Sequence, residues 1–237
     1  MRTIPSNIKL NPPPMRCDKS LGKDIPEPLP HDHFGWVISG KPKSGKTSYL
    51  LDLITNAKDV KYRNVFHDIY YCIPPSSRSS VSLNLFEKTP SDHIFDTLTV
   101  ENLNKIKDNC TRESALGYNS LLIIDDQTAY LKQKEILRML NDLVFRRRHI
   151  FLSIFILVQS YKQIPKSIRC VFSHFTIFKP SNKAEIGSIF DELIFLDKKT
   201  SEKMLKMVFE KPHDTLFGNT TTGKFYKNFD EIIFEDQ

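Results

Sequence analysis

Short runs of apolar residues recur from Phe34 onward, and between them lie stretches whose apolar positions return every three or four residues. Five runs read as strands: FGWVIS (34–39), HDIYYCI (67–73), SLLIID (120–125), IFLSIFILV (150–158) and VFSHFTIF (171–178). They are too uniformly apolar for strands with one wet face, which points to a parallel sheet covered on both sides. The helical patterns at 46–56, 100–107, 131–147, 183–193 and 201–210 supply the covering layers, so the expected class is α/β with a mostly parallel sheet. Beyond residue 210, DTLFGNTTTGKFYKNF reads as a hairpin about a polar turn, added at a sheet edge and followed by the acidic tail DEIIFEDQ.

Residues 1–33 break this rhythm. Seven prolines, with Pro12, Pro13 and Pro14 in a row and Pro26, Pro28 and Pro30 alternating, remove backbone donors and forbid a regular helix. The expected organisation is an extended proline-rich arm (1–33) ahead of one domain (34–237), with no internal repeat of the solenoid kind.

Composition changes the picture little. With 40% hydrophobic and 26% charged residues the chain has the make-up of a globular protein, which excludes disorder throughout. Thirty-four basic against 28 acidic residues leave +6, an excess that permits a polyanionic partner without requiring one. The longest nearly unbroken apolar stretch, 150–158, is far short of the roughly 20 residues of a membrane-spanning helix, so no such segment is expected. The opening MRTIPSNIKL lacks the apolar core of a secretory signal. Cys17, Cys72, Cys110 and Cys170 are too scattered for a zinc pair or a disulfide framework, and a reducing, cytosol-like compartment is the default expectation.

Candidate chemistry starts at Gly40, where GKPKSGKT satisfies GxxxxGK[ST] at every fixed position. In a chain with eight glycines among 237 residues this match is hard to reach by chance. It also follows a strand and opens a helix, as a phosphate cradle must: loop amides converge on the phosphates and the helix N-terminus adds positive charge. Gly40, Lys43, Ser44 and Gly45 would form the cradle, Lys46 would reach the β and γ phosphates, Thr47 would offer its hydroxyl to Mg²⁺, and Ser48 would help at the α phosphate. ATP with Mg²⁺ is the expected ligand.

A carboxylate at the end of a neighbouring strand should complete such a site, and LLIIDD supplies one 79 residues after Lys46. Asp125 is the metal-side candidate. Asp126 is the candidate general base or water-orienting acid, with a helix cap as its alternative. Gln159 ends the run 150–158; it would sense the γ-phosphate if that strand lies between those carrying Gly40 and Asp125, and otherwise simply terminates a buried strand. The run Arg146, Arg147, Arg148, His149 is either a solvated helix end or the source of an arginine finger, with Arg148 the first choice. Nine basic residues against two acids between Lys132 and Arg169 either line a channel for DNA phosphates or face solvent.

The ordered set GKPKSGKT, LLIIDD, RRRHIFLSIFILVQSYKQIPKSIR and VFSHFTIFKP resembles the poxvirus-type genome-packaging ATPases of nucleocytoplasmic large DNA viruses and virophages, in the FtsK/HerA branch of P-loop ATPases. The likeness covers about residues 34–195. It implies a three-layer P-loop NTPase sandwich with a strand inserted between the Walker A and Walker B strands. It implies an ATP-driven motor that moves double-stranded DNA into a preformed capsid, working as a homo-oligomeric ring at a viral capsid or portal vertex, in the host cytoplasm at the viral factory and in the virion. Lys46, Asp126, Gln159 and Arg148 would then be catalytic, with Thr47 and the Walker B acid Asp125 at the metal. Asp126 stands where many such motors carry Glu, one methylene longer. Two other readings share the loop: a nucleoside or nucleotide kinase, which needs an arginine-rich lid and a base pocket, and a non-hydrolysing nucleotide-gated adaptor in which Asp126 is only a cap.

Overall fold

The computed structural model describes residues 13, 15, 19–22, 24–58, 61–79, 86, 89–180, 183–194 and 196–234. Pro5, Pro12, Pro14, Cys17 and the end of the acidic tail (235–237) lie outside these. The strands are β1 (Gly35–Ser39), β2 (Asp68–Cys72), β3 (Ile94–Phe95), β4 (Ser120–Asp125), β5 (Leu152–Val158), β6 (His174–Phe178), β7 (Thr215–Asn219), β8 (Lys224–Lys227) and β9 (Asp230–Glu231). They form one sheet in the order β3-β2-β4-β5-β1-β6-β7-β8-β9. The first six are parallel; β7, β8 and β9 extend the β6 edge antiparallel, where the expected hairpin lies. Between β1 and β4 runs β5, the inserted strand.

Side chains alternate across the sheet and divide the interior in two. Val37, Leu122, Ile124, Ile154 and Ile156 face a layer made by α3 (Val100–Leu116), α4 (Lys134–Arg146), α6 (Lys183–Leu193) and α7 (Lys198–Val208). Trp36, Ile38, Leu121, Ile123, Phe155 and Leu157 face α1 (Lys46–Thr55), which is joined by irregular chain, including Tyr62 and Phe66. Leu21, Ile25 and Leu29 of the proline-rich stretch are buried on this second face, pinned by hydrogen bonds from Leu21 N to His31 O (2.7 Å) and from the Tyr62 hydroxyl to Pro30 O (2.9 Å). Chain without helix or strand thus does part of the work of a covering helix.

Some boundaries differ from those the pattern predicts. Helix α3 runs past 107 because Leu103, Ile106, Cys110 and Ser114 keep one face buried until Gly117, at φ 87°, turns the chain left-handed. Strand β6 starts three residues late because Pro165 opens a single helical turn, α5 (Lys166–Arg169), ahead of it. Two-residue β3 carries too little pattern to be read at all. Cys72 and Cys110 are buried free thiols whose pKa burial pushes up to about 12, and Cys170 is free and exposed.

Leu122, fully buried at the centre of the sheet, should cost about 2–5 kcal/mol when cut to alanine. Thr99, whose hydroxyl accepts the Asn102 N–H at 3.1 Å to cap α3, should cost about 1 kcal/mol in Thr99→Ala. Urea unfolding of the two variants checks both the values and their order.

Candidate functional site

Gly40 leaves the end of β1, and the turn that follows closes on Gly45, the residue capping α1, at φ 102°. No side chain caps this helix, so its first amides remain open. Gly40 has no room for a side chain, because a Cβ there would lie 2.6 Å from Ser44 Oγ and 2.8 Å from Phe178 Cβ. Lys43 takes the left-handed conformation at φ 64°, and the Ser44 hydroxyl is buried without a hydrogen-bond partner. A strained turn, uncapped helix amides and no acid in the first turn of α1 make a cradle for an anion.

The Lys46 ammonium donates to the carbonyls of Gly40 (2.7 Å) and Lys41 (3.0 Å). Burial lowers its pKa, against the opposing pull of Asp125 and Asp126. Thr47 donates its hydroxyl to Asp125 Oδ2 at 3.3 Å. Asp125 ends β4 at 8% exposure, and burial pushes its carboxyl from 3.8 up to about 6 despite Lys46. The pair offers two hard oxygen donors, one of them a buried carboxylate short of positive charge, which is the donor chemistry Mg²⁺ takes.

Asp126 follows with φ 54°, a strained value that turns its carboxylate out of the strand line. No helix starts beside it: the next regular elements are a 3-10 turn at Tyr130–Lys132 and then α4, which excludes the helix-cap alternative. Gln159, one residue beyond β5, donates its amide to Asp126 Oδ1 at 3.4 Å. Pro42, Lys43, Lys46, Thr47, Asp125, Asp126 and Gln159 line one cavity of about 290 Å³, so the loop, the acid pair and the amide share a cleft.

Other expected residues fall elsewhere. Ser48 is exposed on α1 and is not among the residues lining this cleft. Arg148 lies past the end of α4, at the N-terminal ends of the strands, where it lines a separate cavity of about 460 Å³ with His33, Arg147 and His174. The seven residues of β5 separate that edge from the cleft by roughly 20 Å. The basic stretch is divided likewise. Lys132, Lys134, Lys162 and Lys166 are exposed beyond the C-terminal ends of β4 and β5, while Arg146, paired with Asp142, belongs to the opposite edge. Arg169 faces no channel: it forms a two-pronged ion pair with Glu192, both bonds 2.6 Å.

Several contributors are invisible to motif reading. Ser77, from the short helix α2 (Pro75–Arg78), lines the cleft. Gln127, 1% exposed, holds the chain after the acid pair by accepting from Leu98 N and donating to Asp96 O. His213 bonds through Nδ1 to the Ser44 carbonyl at 2.7 Å and, with Phe178, Phe209 and Pro212, walls a second cavity of about 520 Å³ on the other flank of the loop.

Residues 26–214 match the family described as Poxvirus A32 protein. No curated protein matches the sequence. Among solved structures the chain is similar to the genome packaging NTPase B204 from Sulfolobus turreted icosahedral virus 2 in complex with ATP-gammaS (TM-score 0.56, 17% identity, 82% of this chain and 96% of that one). B204, the DNA-packaging ATPase from Sulfolobus turreted icosahedral virus, gives a TM-score of 0.61 at 16% identity over the same shares. The cytoplasmic domain of the type VII secretion ATPase EccC from Thermomonospora curvata gives 0.55 at 18%, over 89% of this chain and 25% of that one. At these identities the likeness is one of fold.

Because folding raises the Asp125 pKa, the folded chain holds that proton more tightly than the unfolded one. Stability from this group is therefore full below pH 3.8 and lost as the pH climbs through about 6. Chemical unfolding of the ligand-free chain should show a loss of up to about 3 kcal/mol across that window, and Asp125→Asn should flatten it.

Proposed function

The chain belongs to the Poxvirus A32 protein family, and from that premise we propose that it is an ATP-hydrolysing motor that drives double-stranded viral DNA into a preformed capsid. The observation that carries this reading is the convergence of Lys46, Thr47, Asp125, Asp126 and Gln159 on one cleft, brought about by the inserted strand. A triphosphate lying along the loop would draw the Lys46 ammonium off the Gly40 and Lys41 carbonyls and onto its β and γ oxygens. Ser44 and the first amides of α1 would close around the phosphates. Thr47 and Asp125 would hold Mg²⁺, which supplies charge neutralisation to the phosphate oxygens.

Asp126 and Gln159 form the chemical end of the cleft. Their contact at 3.4 Å keeps a carboxylate and an amide side by side where an attacking water would be gripped. Asp126 accepts the water proton as its oxygen attacks the γ-phosphorus and the bond to the β-γ bridging oxygen breaks; Gln159 orients the water and registers the γ-phosphate. Phe178, Phe209 and His213 bound the flanking cavity and offer aromatic and imidazole faces for the nucleobase. Among the described residues no arginine lines the cleft, so nothing there favours the lid of a kinase, and the adaptor reading loses the helix cap on which it relied.

Arg148 cannot reach its own chain's phosphates, so a role as finger requires a neighbour. A head-to-tail ring brings one subunit's N-terminal strand edge against the cleft of the next. The exposed Lys132, Lys134, Lys162 and Lys166 are the candidate contacts to DNA phosphates. The same reading sets the work at a capsid or portal vertex in the host cytoplasm, with carriage in the virion. Among the described residues no helix is long and apolar enough to cross a membrane.

ATP turnover by the full chain, measured with and without duplex DNA, tests the motor. Stimulation by DNA is expected, with Lys46→Ala abolishing turnover and Asp126→Asn lowering it by about 10²-fold or more. Turnover indifferent to both DNA and Lys46→Ala would remove the reading. The ring has its own check: neither Arg148→Ala nor Lys46→Ala subunits should turn over alone, yet mixed assemblies should recover part of the activity, since a finger of this kind is worth about 10³–10⁵ in rate. Co-assembly without any recovery counts against a finger in trans.

A further inference from the structure

Gln159 is exposed at a strand end, and nothing in its own backbone fixes where its amide points. The turn behind it is held unusually firmly. Tyr161, two residues on and 1% exposed, donates its backbone N–H to Glu185 Oε1 at 2.9 Å. The same oxygen accepts the Ser39 hydroxyl at 3.4 Å, and Ser39 is the last residue before the phosphate loop. Glu185 is itself 3% exposed, a carboxylate buried where only good hydrogen bonds justify its desolvation. One oxygen on α6 therefore bridges the tips of β1 and β5.

A second carboxylate on the same helix reinforces the first. Glu192, two turns further along and on the same helix face, accepts the Tyr161 hydroxyl at 3.2 Å and both prongs of Arg169. Arg169 also donates to the Ile164 carbonyl at 3.1 Å and lies over the Tyr161 ring. The turn from Ser160 to Arg169 is thus fastened to α6 at both ends. We propose that Glu185 is a positioning residue: it locks the turn after Gln159 to the strand that feeds the phosphate loop, and so sets where the sensing amide sits relative to a bound triphosphate. This rests on the hydrolytic reading of the cleft. It makes α6 the element through which a displacement elsewhere would reach the chemistry, acting on Gln159 without touching the nucleotide.

The test is a cycle of variants of the full chain read as steady-state ATP turnover: Glu185→Ala, Gln159→Ala and the double variant. Glu185→Ala should lower kcat by about 10²-fold, the scale of a 1 Å misplacement, with KM for ATP little changed. The double variant should be no slower than Gln159→Ala if the effect of Glu185 on the rate runs through the Gln159 side chain. Glu185→Gln, which keeps an oxygen able to accept from Tyr161 and Ser39, should recover most of the rate; Glu185→Asp, which keeps the charge but is one methylene shorter, should not. Unchanged kcat in Glu185→Ala, or losses that multiply in the double variant, overturns the proposal. Amide hydrogen exchange at Tyr161 decides the anchor independently of turnover: protection should fall in Glu185→Ala and persist in Glu185→Gln, and equal protection in all forms overturns it. Failure of the hydrolytic reading shows separately, as wild-type turnover no greater than that of Lys46→Ala.

Discussion

Everything at the cleft follows from one pairing: β5 lies between β1 and β4, with Val158 opposite Ser39 and Leu157 opposite Asp125. This register makes three consecutive strand ends finish level, so Gly40, Asp126 and Gln159 leave the sheet together. A slip of one residue along β5 would turn Ile154, Ile156 and Val158 onto the face now filled by Phe155 and Leu157, exchanging side chains of different size between two close-packed cores. The positions of the polar residues at the tip are therefore fixed by apolar packing some distance below them. The hydrogen bond from Gly40 N to Val158 O, 3.1 Å long, carries the register into the loop.

The second constraint is electrostatic. Lys46 and Asp125 are both withdrawn from water, and burial acts against the charge of each. The ammonium is held by two loop carbonyls, and the carboxylate by the Thr47 hydroxyl and the Asp126 backbone N–H, with the Lys46 charge nearby. Neither arrangement offers a full counter-charge. Phosphate oxygens would supply it to Lys46, and a divalent cation would supply it to Asp125 while also taking Thr47. Under the proposed function a metal–triphosphate complex would bring both charges to a cleft whose backbone already holds Lys43 and Asp126 at positive φ.

How much of this was legible before the structure depends on how local each feature is. The phosphate loop is legible because its chemistry is backbone chemistry, written in glycine spacing within eight residues. Asp125 is legible as the polar end of an apolar run. Gln159 becomes meaningful only once strand order is known, since the same residue at a sheet edge would be a mere strand end. Ser77, Glu185 and His213 were not legible, because each meets the site from a distant part of the chain, and Gln127, though next to Asp126, was not because its partners Leu98 and Asp96 lie about 30 residues away in sequence. Arg169 shows the opposite error, since a basic residue within a basic run is engaged by the Glu192 carboxylate, the Ile164 carbonyl and the Tyr161 ring.

The division of functional residues between the two sheet edges bears on what one subunit can do. The cleft and the exposed lysines beyond β4 and β5 occupy the C-terminal edge, whereas Arg148 and the proline-rich segment around Glu27–His33 occupy the other. That segment packs on the same face as α1 and borders the Arg147–Arg148 cavity, so a partner approaching this edge meets backbone already fixed by burial of Leu21, Ile25 and Leu29. Under the proposed ring, each interface would then join the phosphate loop to a rim that carries Arg147 and Arg148 beside Glu27 and Asp32. Helix α6, which tethers the turn after Gln159 through Glu185 and Glu192, shares its buried core with α4, so under the proposed ring a load on the rim end of α4 would reach Gln159 through that core.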